Sequence, residues 1–239
     1  MMADVRTMIW KERKALFRYR GSRLRIVLTV LLPVIMVAIY FPWRVENWVD
    51  SYESLFAAIV PMLMVLLTVP DSFAGERERH TLSTLLASRL PDRAIFLGKL
   101  AVPIGLGFAM MLAVLLLALL TANIVHWDGQ VQFYSPTILL LDLAFGLVLA
   151  TLIASAGVLI SLRASTVQEA QQLLGVVVMV PPIFLGFIAL ILREQIEELF
   201  EGIDAFQVIL VVMSVLVAAC LGLLAAAMAR FRRARLIVD

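Results

Sequence analysis

The chain of 239 residues has one cysteine, Cys220, and two histidines, His80 and His126. A lone thiol excludes an intrachain disulfide and a cysteine-based zinc site. Charge is scarce: Asp, Glu, Lys and Arg make up 16% of the residues, against about 25% in an ordinary soluble domain. Twenty basic residues against eighteen acidic ones leave a net charge of +2, too even a balance for a nucleic-acid binder. Catalytic signatures are missing too. No H-E-x-x-H or G-x-S-x-G occurs, and Gly98-Lys99 lacks both the earlier glycine and the hydroxyl of a nucleotide-binding P-loop. If the protein uses ATP, another chain must bind it. Tandem repeats and low-complexity linkers are absent as well, which leaves residues 1–239 as a single domain.

What is abundant is apolar side chain, at 62% of the residues and a mean hydropathy of +0.99. A water-soluble enzyme needs less, and a disordered chain far less. The composition implies an all-α integral membrane protein. Crossing a hydrocarbon core of about 30 Å takes about 20 mostly apolar residues. Six stretches meet or approach that length: 26–43, 54–70, 100–125, 137–162, 173–192 and 207–229. Asp50 with Glu53 and Thr166 with Glu169 have capping-box spacing, and Ser135-Pro136 reads as an N-cap followed by the first helical residue.

The loops set the orientation. Lys and Arg number eight before Ile26, five in 71–99, one in 163–172 and four after Ala229, whereas the alternate loops hold only Arg44 and Arg193. Eighteen against two is a strong positive-inside bias and puts both termini in the cytoplasm. His80 and His126 then fall on opposite sides of the membrane, so one protomer cannot bring both to one metal. The first apolar run has the length of a span and no small-residue cleavage site after Trp43, so it reads as a retained helix.

Outside the spans, three segments show organisation. In 4–20, Val5, Met8, Ile9, Leu16 and Tyr19 group on one side of a helix and Lys11, Lys14 and Arg18 on the other, the pattern of an interfacial helix on the inner leaflet. The plain alternative is a basic anchor without further role. Segment 71–99 is too short for an independent domain and longer than a simple helix link. Gly75 breaks it, Leu82, Leu85 and Leu86 share a helical face, and Pro91 lets a further helix start. Such a segment suits a docking element, with a solvated basic loop as the alternative. Residues 193–206 carry Glu194, Glu197, Glu198, Glu201 and Asp204 with apolar residues at helical spacing, an acidic amphipathic helix on the outside.

Within the spans Asp142 is the ionisable exception, and an intramembrane carboxylate is a functional-site hypothesis by default. Asn123 and His126 sit near the outer end of the third span. Pro181-Pro182 interrupts the fifth, as a moving part or as a static kink. Asp142, Asn123 and Pro181 are the expected pathway residues. Gly105/Ala109/Ala113, Gly146/Ala150/Ala154 and Ala218/Gly222/Ala226 step by four and mark close helix packing.

The run from Phe73 through Gly75-Glu76-Arg77-Glu78-Arg79-His80-Thr81-Leu82 to Leu85-Leu86-Ala87-Ser88, then Ile95 and Gly98-Lys99, resembles the cytoplasmic loop of ABC transporter permeases of the type-2 exporter family. The approximate pattern there is F-x-G-E-[KR]-E-x-G-T-L-x-x-L-L-x-S followed by I-x-x-G-K. Gly157, Ser161, Arg163, Ala170, Gln171 and Pro181 resemble the family's connection of spans four and five, and Trp10-Lys11-Glu12 its opening elbow helix. The resemblance implies a six-helix permease in a prokaryotic plasma membrane, paired with a second copy and with separate ABC ATPase subunits that hold ATP and magnesium. This chain would then be no enzyme. Its ATPase-coupling residues would be Glu76, Arg77, Glu78, Thr81, Leu82 and Leu85, with Arg163 and Glu169 in a second contact. His80 departs from the pattern by standing where the family has Gly. Membrane lipid is the further partner, and nearly uncharged spans favour an amphipathic or apolar substrate. Two other readings stay open: an intramembrane lipid-modifying enzyme using Asp142, His126 and Asn123, and a non-transporting membrane scaffold.

Overall fold

Backbone N–H and C=O groups in hydrocarbon must bond within their own segment, so long apolar runs become helices. The computed structural model describes residues 2–18, 31–80, 90–193, 195, 202 and 204–231, with no strand among them. In order they form α1 (Met2–Arg18), α2 (Leu31–Arg44), α3 (Tyr52–Glu78), α4 (Asp92–Val125), α5 (Pro136–Ser161), α6 (Val167–Ile191) and α7 (Ala205–Arg230). Five of them, α3 to α7, are long and apolar enough to cross a membrane. The expected first span is described only from Leu31, as the shorter apolar helix α2; residues 26–30 lie outside the described residues. The expected outer acidic helix falls largely outside them as well.

Several local features differ from the sequence expectation. Gly75 does not break the chain: α3 runs unbroken through it to Glu78, so the connection to α4 begins eight residues later than expected. The glycine is steric, since a Cβ there would sit 2.4 Å from Asp71 Oδ1 and 2.8 Å from Arg79 Nη2, a pair joined at 3.3 Å. Ser51, not Asp50, caps the start of α3 by accepting from Glu53 N. The helix α4 starts directly after Pro91 and runs 34 residues, or about 51 Å at 1.5 Å per residue. That exceeds the hydrocarbon thickness, so one end of α4 stands clear of it.

Packing follows the small residues, as expected where lipid is as apolar as the helix surface. The central helix α5 packs on α3, α4, α6 and α7, and α4 also holds α1 and α2. Gly146, Ala150 and Ala154 are buried along α5. The other two stripes, Gly105, Ala109 and Ala113, and likewise Ala218, Gly222 and Ala226, are exposed and pack on no helix among the described residues. On α4 the close approach is made instead by Gly107, where a Cβ would lie 2.9 Å from Pro61 Cα.

One core cluster lies toward the ends of α1, α3 and α4 and includes Met8, Phe73, Ile95, Phe96 and Val158. A second, around Trp48, Val60, Met111 and Leu115, fills the opposite end. There α2 makes a π-helical turn at Met36–Tyr40. Pro42 has no N–H to give Ala38 O, and Thr121 Oγ1 of α4 donates to that carbonyl at 2.8 Å. His126 Nε2, 3.0 Å from Pro42 O, donates to the end of the same helix, since a carbonyl can only accept. Trp48 Nε1 donates to Tyr134 Oη at 3.1 Å, and Tyr134 Oη donates to Leu115 O at 3.2 Å. Burial pushes the Tyr134 phenol up to about 12 against the lowering effect of the Trp48 hydrogen bond. The hydroxyl therefore keeps its proton.

Candidate functional site

Glu76, Arg77 and Glu78 fill the last turn of α3. Successive helical residues point about 100° apart, so each meets a different element. Arg77 reaches the end of α5, where Nη2 donates to Leu162 O at 2.9 Å and Nη1 to Ala164 O at 3.1 Å. Those carbonyls sit at the negative end of the α5 dipole, and a guanidinium suits them. Glu78 Oε1 accepts from Val167 N at 3.2 Å, capping the positive start of α6. The α3 end therefore grips the α5–α6 connection from both sides.

That connection is itself tightly built. Thr166 Oγ1 accepts from Glu169 N at 3.1 Å, while Glu169 Oε2 accepts from Ser165 N at 2.8 Å and Ser165 Oγ at 2.6 Å. Arg163 is exposed at its tip. Gln171 Nε2 adds a donor to Leu67 O of α3 at 3.2 Å.

Glu76 turns the other way, into the protein. Its side chain is 8% exposed, with Oε1 2.8 Å from Lys11 Nζ of α1 and Oε2 3.0 Å from Lys99 Nζ of α4. Lys99 is wholly buried and also lies 3.2 Å from Glu12 Oε1 of α1. It donates to Ser72 O and sits 5.0 Å over the Phe73 ring. An unpaired ammonium at this depth would be very costly, and two carboxylates, a carbonyl and a ring face compensate it. Next to it, Gly98 lets α1 approach: a Cβ would meet Met8 Cβ and Cγ at 2.6 Å. The face of α1 expected to rest on lipid thus buries Met8 against α4, while Trp10, Arg13 and Lys14 stay exposed. The adjoining cavity of about 40 Å³ has room for about one or two waters and none for a substrate.

Gly98, Lys99, Lys11 and Glu12 stood in the sequence only as parts of motifs and a helix face, and sequence reasoning did not join them in one cluster. The signal was present, since a lysine beside Leu100 at the start of an apolar run demands a partner. His80 resolves its own departure from pattern. Its φ is +53°, so the backbone takes the left-handed conformation that a glycine would adopt there. Thr81, Leu82 and Leu85 lie outside the described residues.

The three pathway candidates are engaged separately. Asp142 is completely buried between α5 and the start of α3, where its Oδ1 accepts from Ser54 Oγ at 3.1 Å. Asn123 holds the loop after α4: Nδ2 donates to Leu119 O at 2.9 Å and Gln132 O at 3.0 Å, and Oδ1 accepts from Gln132 N at 2.8 Å. Pro181 and Pro182 lie inside α6 without ending it and are exposed. Every residue from 179 to 188 is exposed too, so that half of α6 has no partner among the described residues. His126 is held by Pro42 O and Asn123 by Leu119 and Gln132, so among the described residues neither is hydrogen-bonded to Asp142.

Five membrane-capable helices define a multi-pass membrane protein. The chain matches the family model of the ABC-2 type transporter over residues 3–193, and it belongs to that family as an ABC transporter permease. Such permeases are in general the non-enzymatic transmembrane component and work with an ABC ATPase. Comparison with curated proteins yields no match.

Proposed function

We propose that this chain is the pathway-forming subunit of an ATP-driven exporter and works as a homodimer with two separate ABC ATPase subunits. In this reading the Lys- and Arg-rich end, which carries α1, the 79–91 connection and the 162–166 loop, is cytoplasmic. The observation that carries the proposal is the grip of Arg77 and Glu78 on the α5–α6 connection. The described part of the first ATPase-facing segment, 76–78, and the second, 163–169, are thereby fastened into one piece. A push on either reaches α3, α5 and α6 together. Arg163, with Thr81, Leu82 and Leu85, provides the contact surface. Arg77, Glu78 and Glu169 shape it, and Glu76 anchors it from behind.

ATP binding drives such a machine only if it stabilises one pathway arrangement over the other, and a stiff docking unit makes that difference available to the spans. The free half of α6 around Pro181 is the surface we assign to the second copy and the pathway between the two. Asp142 and Asn123 serve the outer end, Asp142 by seating α3 on α5 and Asn123 by fixing the loop after α4. The nearly uncharged span surfaces suit an amphipathic or apolar substrate.

The test is a photo-crosslinking residue at position 163 in the full permease co-expressed with its ABC ATPase. A crosslinked ATPase adduct is expected. Co-purification without an adduct would contradict the docking surface, and no co-purification would contradict the coupling itself.

A further inference from the structure

Consecutive residues of α1 carry opposite charges, and both reach the same buried pair. Lys11 Nζ meets Glu76 Oε1 at 2.8 Å, and Glu12 Oε1 meets Lys99 Nζ at 3.2 Å. Glu76 Oε2 and Lys99 Nζ close the chain of contacts at 3.0 Å. Four charges alternate in sign and sum to zero. Glu76 touches both lysines, and Lys99 touches both glutamates.

An anchor lying on lipid needs none of this, because apolar residues of equal volume would hold it as firmly. A charge chain adds register. Sliding or rolling α1 by one residue would leave a buried charge without its partner, as polar residues do in fixing the register of coiled coils. Gly98 imposes the same register sterically, because Met8 packs where any larger side chain would stand.

We infer that Glu76 and Lys99 are positioning residues that lock α1 to the ends of α3 and α4, so that any displacement of the α3 end is carried into α1. Arg77 and Glu78 couple that same end to the α5–α6 connection. One turn of α3 therefore faces the ATPase-side segments outward and the α1 lock inward. The inference rests on the proposed coupling only for the source of the displacement.

The test uses the full chain in lipid nanodiscs, with Cys220 replaced by Ala and spin labels on cysteines placed in pairs at the exposed positions 13, 130 and 168. In the permease alone, the 13–168 distance is expected to be a single narrow distribution. The variant Lys11→Met/Glu12→Gln leaves Glu76 and Lys99 paired with each other, and it should broaden that distribution at least twofold while leaving 130–168 unchanged. An unchanged 13–168 width overturns the lock. The milder Glu12→Gln keeps the test alive should the double variant fold poorly; partial broadening is expected, and none would overturn the proposal.

With the ABC ATPase bound and trapped by ATP and vanadate, 13–130 and 168–130 should shift together in the parent. In the double variant only 168–130 should shift. A parent in which 168–130 shifts and 13–130 does not overturns the lock. If neither shifts, the proposed coupling fails, and the widths in the permease alone still decide the lock.

Discussion

Replacing Lys99 with Met removes the charge from the best-buried ion cluster described and keeps most of the volume. The wild-type ammonium is wholly buried, 3.0 Å from Glu76 and 3.2 Å from Glu12. Without it, Glu12 keeps a buried carboxylate with no facing cation among the described residues, while Glu76 still has Lys11 at 2.8 Å. Removing one partner of a buried pair costs about 3–5 kcal/mol. Since Lys11 retains half of Glu76 and Met fills the space, a loss of about 3 kcal/mol is expected, near the lower bound. Reversible unfolding in mixed SDS micelles, followed by tryptophan fluorescence, measures it. The neutral combination Lys99→Met/Glu12→Gln/Glu76→Gln should recover most of the loss, because no unpaired buried charge remains. A single variant within about 1 kcal/mol of wild type, or a combination no better than the single, would refute the assignment of Lys99 as counterion.

Three further outcomes are expected. Gly98→Leu forces a side chain into Met8 and should destabilise by about 1–3 kcal/mol, as overpacking does, read by the same unfolding assay. Arg77→Met removes two charge-assisted hydrogen bonds from the α5–α6 connection; at a half-buried site this is worth about 2 kcal/mol, so amide exchange at residues 165–168 should quicken about thirtyfold. His80 holds φ at +53°, a strain of about 1–2 kcal/mol for a side-chain-bearing residue. His80→Gly relieves it and adds backbone freedom to the unfolded chain, leaving a net stabilisation of about 0.5 kcal/mol in the unfolding assay.

The apolar runs made the helices legible, since length and lack of charge decide them with little help from tertiary context. The ends of those runs were harder to read. Gly75 suggests a break by propensity, yet α3 stays helical through it to Glu78, with Asp71 and Arg79 closing over its missing side chain. Stripes of small residues identified a packing face on α5, whereas those on α4 and α7 are exposed among the described residues. Spacing by four occurs on more than one face of a long helix, and only the three-dimensional neighbour Pro61 selects Gly107. Arg77 and Glu78 stood out in the sequence as part of a motif, although their partners at 162–167 lie more than eighty residues away. Lys99 needed a buried counterion, but nothing local says that α1 supplies one.

The central claim is that the basic end of the protein is one docking unit for an ABC ATPase. The most direct measurement is the affinity of that ATPase, titrated onto the permease in nanodiscs, for wild type and for Leu82→Asp/Leu85→Asp. Saturable binding to wild type, weakened at least about tenfold in the variant or by about 1.4 kcal/mol, is the result the account predicts. Equal affinity for both, with the variant folded, would contradict it.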